Sequence, residues 1–147
     1  LAGTVTGQDV RKRAPDLVEI VRVVTKQFLG STPAGSLPMQ GNLVSSPWTY
    51  RYLPSISQDT WVQVGVWAKF ADEGLTPFWL MLHKDDKGTG GFQAALQRLM
   101  TSRLSRYVRR DDGYAWVPLN VPADANGPEL VEALAKQVGT VLEILKP

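Results

Sequence analysis

Five arginines lie between Gly88 and Arg110 in a stretch without any acidic residue, the most one-sided charge pattern of the sequence. These are Arg98, Arg103, Arg106, Arg109 and Arg110. On a helix running from Phe92 to Arg110, this spacing would place them on two adjoining faces. Guanidinium groups suit phosphate contacts, so the pattern predicts binding of nucleic acid or another polyanion. The alternative interpretation is a solvated helix face whose arginines interact favourably with the C-terminal end of the helix dipole.

Nucleophilic and metal-ligating residues are scarce. The chain has no cysteine, which excludes disulfides, a thiolate nucleophile and sulfur-liganded zinc. Its only histidine, His83, ends a predicted strand, where it is either an acid or base or simply a polar edge residue. No GxSxG motif is present, and the acidic pairs at 72–73 and 111–112 are typical of turns. We therefore predict no catalytic set, no metal and no cofactor.

The elements that must position these residues follow from hydrophobic periodicity and from helix and turn signals. A Gly/Ser/Pro-rich loop at 30–47 separates the first helix from the sheet. The predicted helices span 15–29, 92–110 and 128–145, and the predicted strands span 48–53, 61–70, 76–83 and 114–121. This α-β-β-β-α-β-α order predicts an α/β fold, or an α+β fold, with a mixed sheet of about four strands, a β-hairpin at 61–83 and helices on one or both faces.

Length and composition fit one globular domain over residues 1–147. A chain of 147 residues, 44% of them hydrophobic, can bury a sizeable core. Its formal charge of +2 is too small to predict polyanion binding by itself. No apolar run reaches the length of a membrane span, and the N-terminal segment does not resemble a signal peptide. Because the sequence opens at Leu1, we expect it to be a piece of a longer cytoplasmic protein.

All five tryptophans can share one face of the predicted sheet. Strand alternation places aliphatic residues such as Val62 and Val64 on one face and large rings on the other. We predict that the ring-bearing side binds a ligand through Trp61, Gln63, Trp67, Lys69, Trp79, His83 and Trp116. Gly65 would leave a hollow among these side chains. In the first strand, the residues that alternate with the rings are polar, so the direction of its aromatic side chains stays open.

Three environments are open to the ring-bearing side of the sheet. The first helix could cover it and complete an α/β/α sandwich, because a sheet that is apolar on both faces is usually covered on both. It could instead be an exposed platform for a planar ligand, a base or a partner surface. The third alternative is burial against another part of the protein or a second subunit.

The element order α-β-β-β-α-β is similar to the core of the restriction-endonuclease-like PD-(D/E)XK nucleases. The resemblance implies a divalent metal held by an acid on one strand and a D/E-x-K triplet on the next. The comparable residues are Asp59 before the second strand and Lys69 within it, with Trp67 where the acid of the triplet would stand. The resemblance therefore implies a degenerate relative that lacks the catalytic acid.

We expect a non-catalytic binding or interaction domain of a larger cytoplasmic protein, using the ring-bearing side of its sheet. Its expected partner is another domain or protein chain, with nucleic acid as a further candidate and no membrane. The alternative is a nucleic-acid-related or defence-related domain of the nuclease type, degenerate because the acid is missing.

Overall fold

The computed structural model describes residues 5–57, 59–85, 90–122 and 125–147. It confirms the α/β class, with a sheet as one layer and helices as the other. The helices in this part of the chain are α1 (Gly7–Lys12), α2 (Ala14–Lys26), α3 (Ala68–Asp72), α4 (Gly91–Met100) and α5 (Gly127–Leu145). The helices predicted at 15–29 and 128–145 correspond to α2 and α5.

Within the described residues the sheet has six strands rather than about four, and its ladders are all antiparallel rather than mixed. The strands are β1 (Met39–Gln40), β2 (Trp48–Ser57), β3 (Thr60–Trp67), β4 (Phe78–Lys84), β5 (Arg109–Asp111) and β6 (Tyr114–Pro118). Their order across the sheet is β1-β2-β3-β4-β6-β5. The additional strands, β1 and β5, are short edge strands that arise from a predicted loop and from the end of a predicted helix.

The hairpin predicted at 61–83 is confirmed by the pairing of β3 with β4. β3 ends at Trp67 rather than at residue 70, because α3 begins directly after it. Gly74 has a φ of +77°, a left-handed conformation that glycine adopts without steric cost. The amide of Leu75 then donates to the carbonyl of Phe70. The two strands are thus joined by a short helix and a tight turn.

The second predicted helix is shorter than expected, since α4 ends at Met100 instead of residue 110. Ser102 explains this early end. Its hydroxyl donates to the carbonyl of Leu99 at 2.6 Å and accepts the amide of Leu104 at 3.2 Å. Such bonds offer backbone groups an alternative to the helical ladder. The chain then forms a 3-10 turn (Ser105–Tyr107) and enters β5.

The main core lies between the sheet and the long helices. Alternate strand residues such as Val64 and Leu80 are buried against apolar residues of α2, α4 and α5. Burying one such side chain stabilises the fold by about 1.5–3 kcal/mol relative to leaving it in water. Because successive strand residues point to opposite faces, this core forces the intervening side chains onto the other face of the sheet.

Candidate functional site

Strand pairing brings the large rings together on the face opposite the aliphatic core. Trp61 lies opposite His83, which in turn lies opposite Tyr114, and residues opposite each other in a ladder project to the same side. This side, called the aromatic face below, carries Trp48, Tyr50, Tyr52, Trp61, Gln63, Trp67, Trp79, Met81, His83, Tyr114 and Trp116. All five tryptophans therefore share one face, as strand alternation predicts.

The direction of β2, which the sequence leaves open, is decided by buried hydrogen bonds on the helical side. Thr49 Oγ1 donates to the carbonyl of Gly41 at 3.0 Å. Arg51 is buried, and its Nε donates to the carbonyl of Leu37 at 2.7 Å. Burial lowers the pKa of Arg51, and the charge of Arg22 lowers it further. The polar residues of β2 are thus satisfied in the core, and its rings point to the aromatic face.

In the described part of the chain, no long helix covers the aromatic face. The apolar stripe of α2, including Leu17, Val21 and Val24, belongs to the same aliphatic core as Val64 and Leu80. The expected α/β/α sandwich, with the first helix over the rings, is therefore wrong. Since α2 has a single apolar stripe, burying it on the aliphatic side leaves nothing with which to cover the rings.

The centre of the aromatic face is buried by its own rings and by α3. The ring centroid of Phe70 lies 4.3 Å from that of Trp79 and 5.1 Å from that of Trp116. Trp67 meets Trp116 edge to face at 5.0 Å. With Met81 these residues form a second apolar cluster, separate from the aliphatic core. Three of the predicted ligand-binding tryptophans are thus enclosed in this cluster.

Rings at both ends of the aromatic face are open to solvent. Trp48 is 40% exposed at one end, and Trp61 and Tyr114 are 36% and 38% exposed at the other. Tyr50 and Tyr52 are half-buried between them. Burial raises the pKa of Tyr50, and Tyr52 raises it further, so Tyr50 is a neutral phenol at physiological pH. The accessible part of the face therefore presents neutral rings.

Hydrogen bonds orient two indole rings at their edges. Nε1 of Trp116 donates to Asp111 Oδ2 at 3.2 Å. Nε1 of the exposed Trp61 donates to Asp85 Oδ2 at 3.4 Å, a long bond. Both carboxylates engage ring edges, so the flat faces of the indoles are left for packing or for contact with another molecule.

Gly65 does not open a hollow. A Cβ there would lie 2.2 Å from the carbonyl oxygen of Thr49 and 2.5 Å from the Cβ of Tyr50. Glycine instead lets β2 approach closely enough for the ring of Tyr50 to stack on Trp67, with centroids 5.7 Å apart and planes at 7°. The predicted hollow is wrong, because the space is used for ring packing.

His83 stacks on Tyr114, with centroids 4.8 Å apart and planes at 5°. Its Nδ1 is buried and has no hydrogen-bond partner within the described residues. Stacking on Tyr114 is the side-chain contact that the described structure gives to His83. Gln63, another predicted contact residue, is buried in the middle of the same face.

Two cations lie over rings near α3. Lys69 belongs to α3 rather than to the predicted strand, and its Nζ is 4.9 Å from the centroid of Phe70 and 5.1 Å from that of Trp116. Arg109 of β5 lies 5.7 Å from the Phe70 centroid and pairs with Glu73 at 3.0 Å. Ring quadrupoles attract such cations. Positive charge is therefore part of the aromatic face beside α3.

The predicted helical strip of arginines does not form, because α4 ends before most of them. Arg98 is on α4, where its Nη1 donates to the carbonyl of Leu145 at 3.1 Å. The others belong to the turn after the helix, to the 3-10 turn and to β5, in the order Arg103, Arg106, Arg109 and Arg110. Phosphate binding by these arginines stays a prediction, without the shared helix that motivated it.

Asp59 and Lys69, the residues comparable to the nuclease pattern, lie beyond opposite ends of β3. This strand has eight residues, which is about 25 Å at about 3.3 Å per residue. One metal ion cannot contact both side chains. No cluster of three His, Asp or Glu side chains in the described residues could hold a metal ion either. The observed element order also differs from the predicted α-β-β-β-α-β order, because α3 lies between β3 and β4 and β5 precedes β6.

Asp59 has a structural contact network instead. Its Oδ2 accepts the amides of Gly90 and Phe92 at 3.1 and 3.3 Å, at the start of α4. Its Oδ1 accepts the hydroxyls of Ser57 and Thr60 at 2.9 and 3.1 Å. This buried carboxylate ties the turn between β2 and β3 to the helix.

Comparison with protein-family models, with curated proteins and with solved structures finds no match. No helix among the residues that the structure describes has the length and apolar content needed to cross a membrane. Function must therefore be inferred from the geometry of the chain itself.

Sequence reasoning missed Trp48 as a candidate contact residue, together with two cations near it, Arg11 and Lys12. Long-range packing brings these segments together, since Nη2 of Arg11 donates to the carbonyl of Val44 at 2.6 Å, four residues before Trp48. The available signals were weak: a basic run at 11–13 and a tryptophan at the beginning of a strand.

Proposed function

We propose that this chain is a non-catalytic binding module that takes a ring-bearing ligand or partner on its aromatic face. The observation that supports this proposal is the packing of all the long helices on the aliphatic side, which leaves Trp48, Trp61 and Tyr114 exposed. Exposed apolar patches of this kind mark contact sites in soluble proteins. We further propose a cytoplasmic setting and a protein chain or a nucleic acid as the partner.

The proposed contact uses rings that are already oriented. Trp61 is held at its edge by Asp85 and lies edge to face against Tyr52, with centroids 5.6 Å apart. Rings that are fixed before binding lose little conformational freedom when a ligand arrives. Aromatic rings attract other planar rings in offset-stacked or edge-to-face arrangements. The buried cluster around Phe70 lies beside them on the same face of the sheet.

The test is a titration of the intact chain with adenosine, a neutral planar probe, followed through the indole N–H signals in nitrogen-15 correlation spectra. We expect the signals of Trp48 and Trp61 to shift with millimolar adenosine. Trp79 is the internal control, because it is 1% exposed and its Nε1 donates to the carbonyl of Thr76 at 2.6 Å. Absence of any shift at both exposed indoles would contradict the proposal.

Matched variants separate this site from the rest of the surface. Trp61→Ala should remove the adenosine response at its end of the face, whereas Tyr107→Ala, which truncates an exposed ring on the 3-10 turn, should leave it intact. Catalytic turnover by the purified chain that is lost on His83→Ala with the fold retained would overturn the non-catalytic part of the proposal.

A further inference from the structure

A basic pocket adjoins the Trp48 end of the aromatic face. It has a volume of about 640 Å³ and lies between α1, α3 and the loop before β2. Among the described residues that line it, three are cations, Arg11, Lys12 and Lys69, and one is an acid, Asp72. Three positive charges against one negative charge leave an excess of two, as large as the +2 of the whole chain.

The charges in this pocket differ in how far they are already engaged. Asp72 Oδ1 accepts the amide of Gly7 at 2.6 Å, which holds the carboxylate against α1. The guanidinium of Arg11 donates to loop carbonyls. Within the described residues, neither Lys12 nor Lys69 forms a salt bridge. Lys12 instead exerts an electrostatic attraction on the exposed Asp9, and the ammonium of Lys69 lies over the rings of Phe70 and Trp116.

Backbone contacts join the pocket to the strand that carries Trp48. Pro47 lines the pocket, and its carbonyl accepts the amide of Ala68 at 3.0 Å. Trp48 follows directly and pairs with Trp67, which leads into α3. Lys69 contributes to both regions, because it lines the pocket while its Nζ lies over rings of the aromatic face. The residue directly before Trp48 is thus part of the pocket lining.

Two carboxylates lie on the aromatic face away from Trp48. Asp85 accepts the indole N–H of Trp61 at the far end, and Asp111 accepts that of Trp116, whose ring belongs to the central cluster. Trp61 and Trp67 are six residues apart on β3, which places the two ends of the face about 20 Å from each other. The pocket at the Trp48 end has more positive than negative side chains in its lining and therefore favours an anion.

We propose that the Trp48 end binds single-stranded nucleic acid, with neighbouring phosphates on the cations of the basic pocket and the adjoining base stacked on Trp48. This inference rests on the proposed function and names the ligand of the same face. Single-stranded nucleic acid combines, at short range, the planar neutral ring and the anion that this surface favours. Base faces are free to stack on protein rings only when they are not enclosed in a duplex, so duplex DNA does not fit.

The test uses fluorescence anisotropy of the intact chain with labelled oligothymidylate and oligoadenylate of about eight nucleotides. We expect binding at about 50 mM salt that weakens as salt rises. Two or three neutralised phosphates predict a slope of log affinity against log salt of about −1.4 to −2.1. Removing one stacked base should lower affinity about 5- to 150-fold, so this is the loss expected for Trp48→Ala.

Charge variants test the pocket independently of the ring. Lys12→Gln and Lys69→Gln should each weaken binding and each bring the salt slope closer to zero by about 0.7. Lys136→Gln, which removes an exposed lysine from α5 on the other side of the sheet, is the matched control and should change neither quantity. Circular dichroism of each variant verifies that the fold is retained.

Several results would overturn this inference. They are no oligonucleotide binding at about 50 mM salt, equal affinity for the corresponding duplex, equal losses in Lys12→Gln and Lys136→Gln, or preferential binding of an acidic aromatic peptide. If adenosine shifts Trp48 but the oligonucleotide binds no more tightly than adenosine, this inference fails and the proposed function stands. If neither molecule affects the exposed indoles, both fail.

Discussion

Asp59→Ala should destabilise the protein strongly, because the buried carboxylate of Asp59 joins three segments of the chain. Its two oxygens accept amides at the start of α4 and hydroxyls on either side of the turn between β2 and β3. Alanine would leave the amides of Gly90 and Phe92 without this acceptor. It would also remove a negative charge from the N-terminus of α4, where the helix dipole favours it.

The magnitude follows from these bonds. A hydrogen bond to a charged group stabilises by about 1.5–3 kcal/mol, and a buried donor left unpaired costs about 1–3 kcal/mol. The Ser57 hydroxyl can compensate, since in the variant its single proton can be donated to Thr60 Oγ1, 2.7 Å away. The amide of Gly90, which is exposed, can turn to water, so the buried amide of Phe92 and the lost charge dominate, and the expected loss is about 3–5 kcal/mol. Asp59→Asn keeps one acceptor oxygen, and about half of that loss is expected.

Urea unfolding, followed by tryptophan fluorescence and far-UV circular dichroism, measures this loss. With a slope of about 2 kcal/mol per molar urea, the midpoint should fall by about 2 M in Asp59→Ala. Asp112→Ala is the matched control, because Asp112 is exposed in a turn and its loss should cost less than about 0.5 kcal/mol. A loss below about 1 kcal/mol in Asp59→Ala would refute the structural role. Metal-dependent nucleic-acid cleavage abolished in a stably folded Asp59→Ala would support the nuclease-type alternative instead.

Three further perturbations test other parts of the fold. Gly65→Ala should lower the free energy of unfolding by about 3 kcal/mol or more, because the alanine Cβ would lie 2.2 Å from the carbonyl oxygen of Thr49. Unchanged thermal stability would contradict this close approach of the two strands. Trp79→Ala should lower the free energy of unfolding by about 3–5 kcal/mol and Trp61→Ala by about 1 kcal/mol or less, because only the ring of Trp79 is fully buried. Equal losses in urea unfolding would mean that the two rings are equally buried. The amide and hydroxyl of Thr6 lower the pKa of Asp9 below its ordinary 3.8, so the capping box of α1 should contribute stability above the ordinary pKa and lose it as the pH falls through the lowered one. The protection factors of the α1 amides, which correct for the intrinsic slowing of exchange in acid, should accordingly fall as the pH is lowered, and Asp9→Asn should remove that pH dependence.

The elements predicted most accurately are those with a strong local pattern. The stripe of α5, the stripe of α2 and the alternation of β3 are each long enough to identify the element type, and all three form as expected. The error in the second helix arises because arginines are compatible with both a helix and a strand. Only the local competition from Ser102 and the pairing of β5 with β6 end that helix early.

The site was predicted in part. In an extended backbone, successive side chains point to opposite faces of the sheet, so the sequence identifies which side chains share a face. All five tryptophans share one face, as this alternation predicts. It does not identify which of them are covered. Trp67 and Trp116 are enclosed because α3 returns Phe70 over them, and α3 lies where the sequence predicts a continuing strand and a loop.

By itself, the sequence determined the α/β class, the hairpin and the membership of the aromatic face, because each depends on local periodicity. The tertiary structure alone decided that the long helices pack on the aliphatic side and that Arg11, Lys12 and Lys69 line one pocket beside Pro47. The physical reason is that the burial of a sheet face and the clustering of charges depend on contacts between segments far apart in the chain. An apolar stripe predicts that a helix will be buried. The shape and polarity of the two sheet faces decide on which face the helix packs.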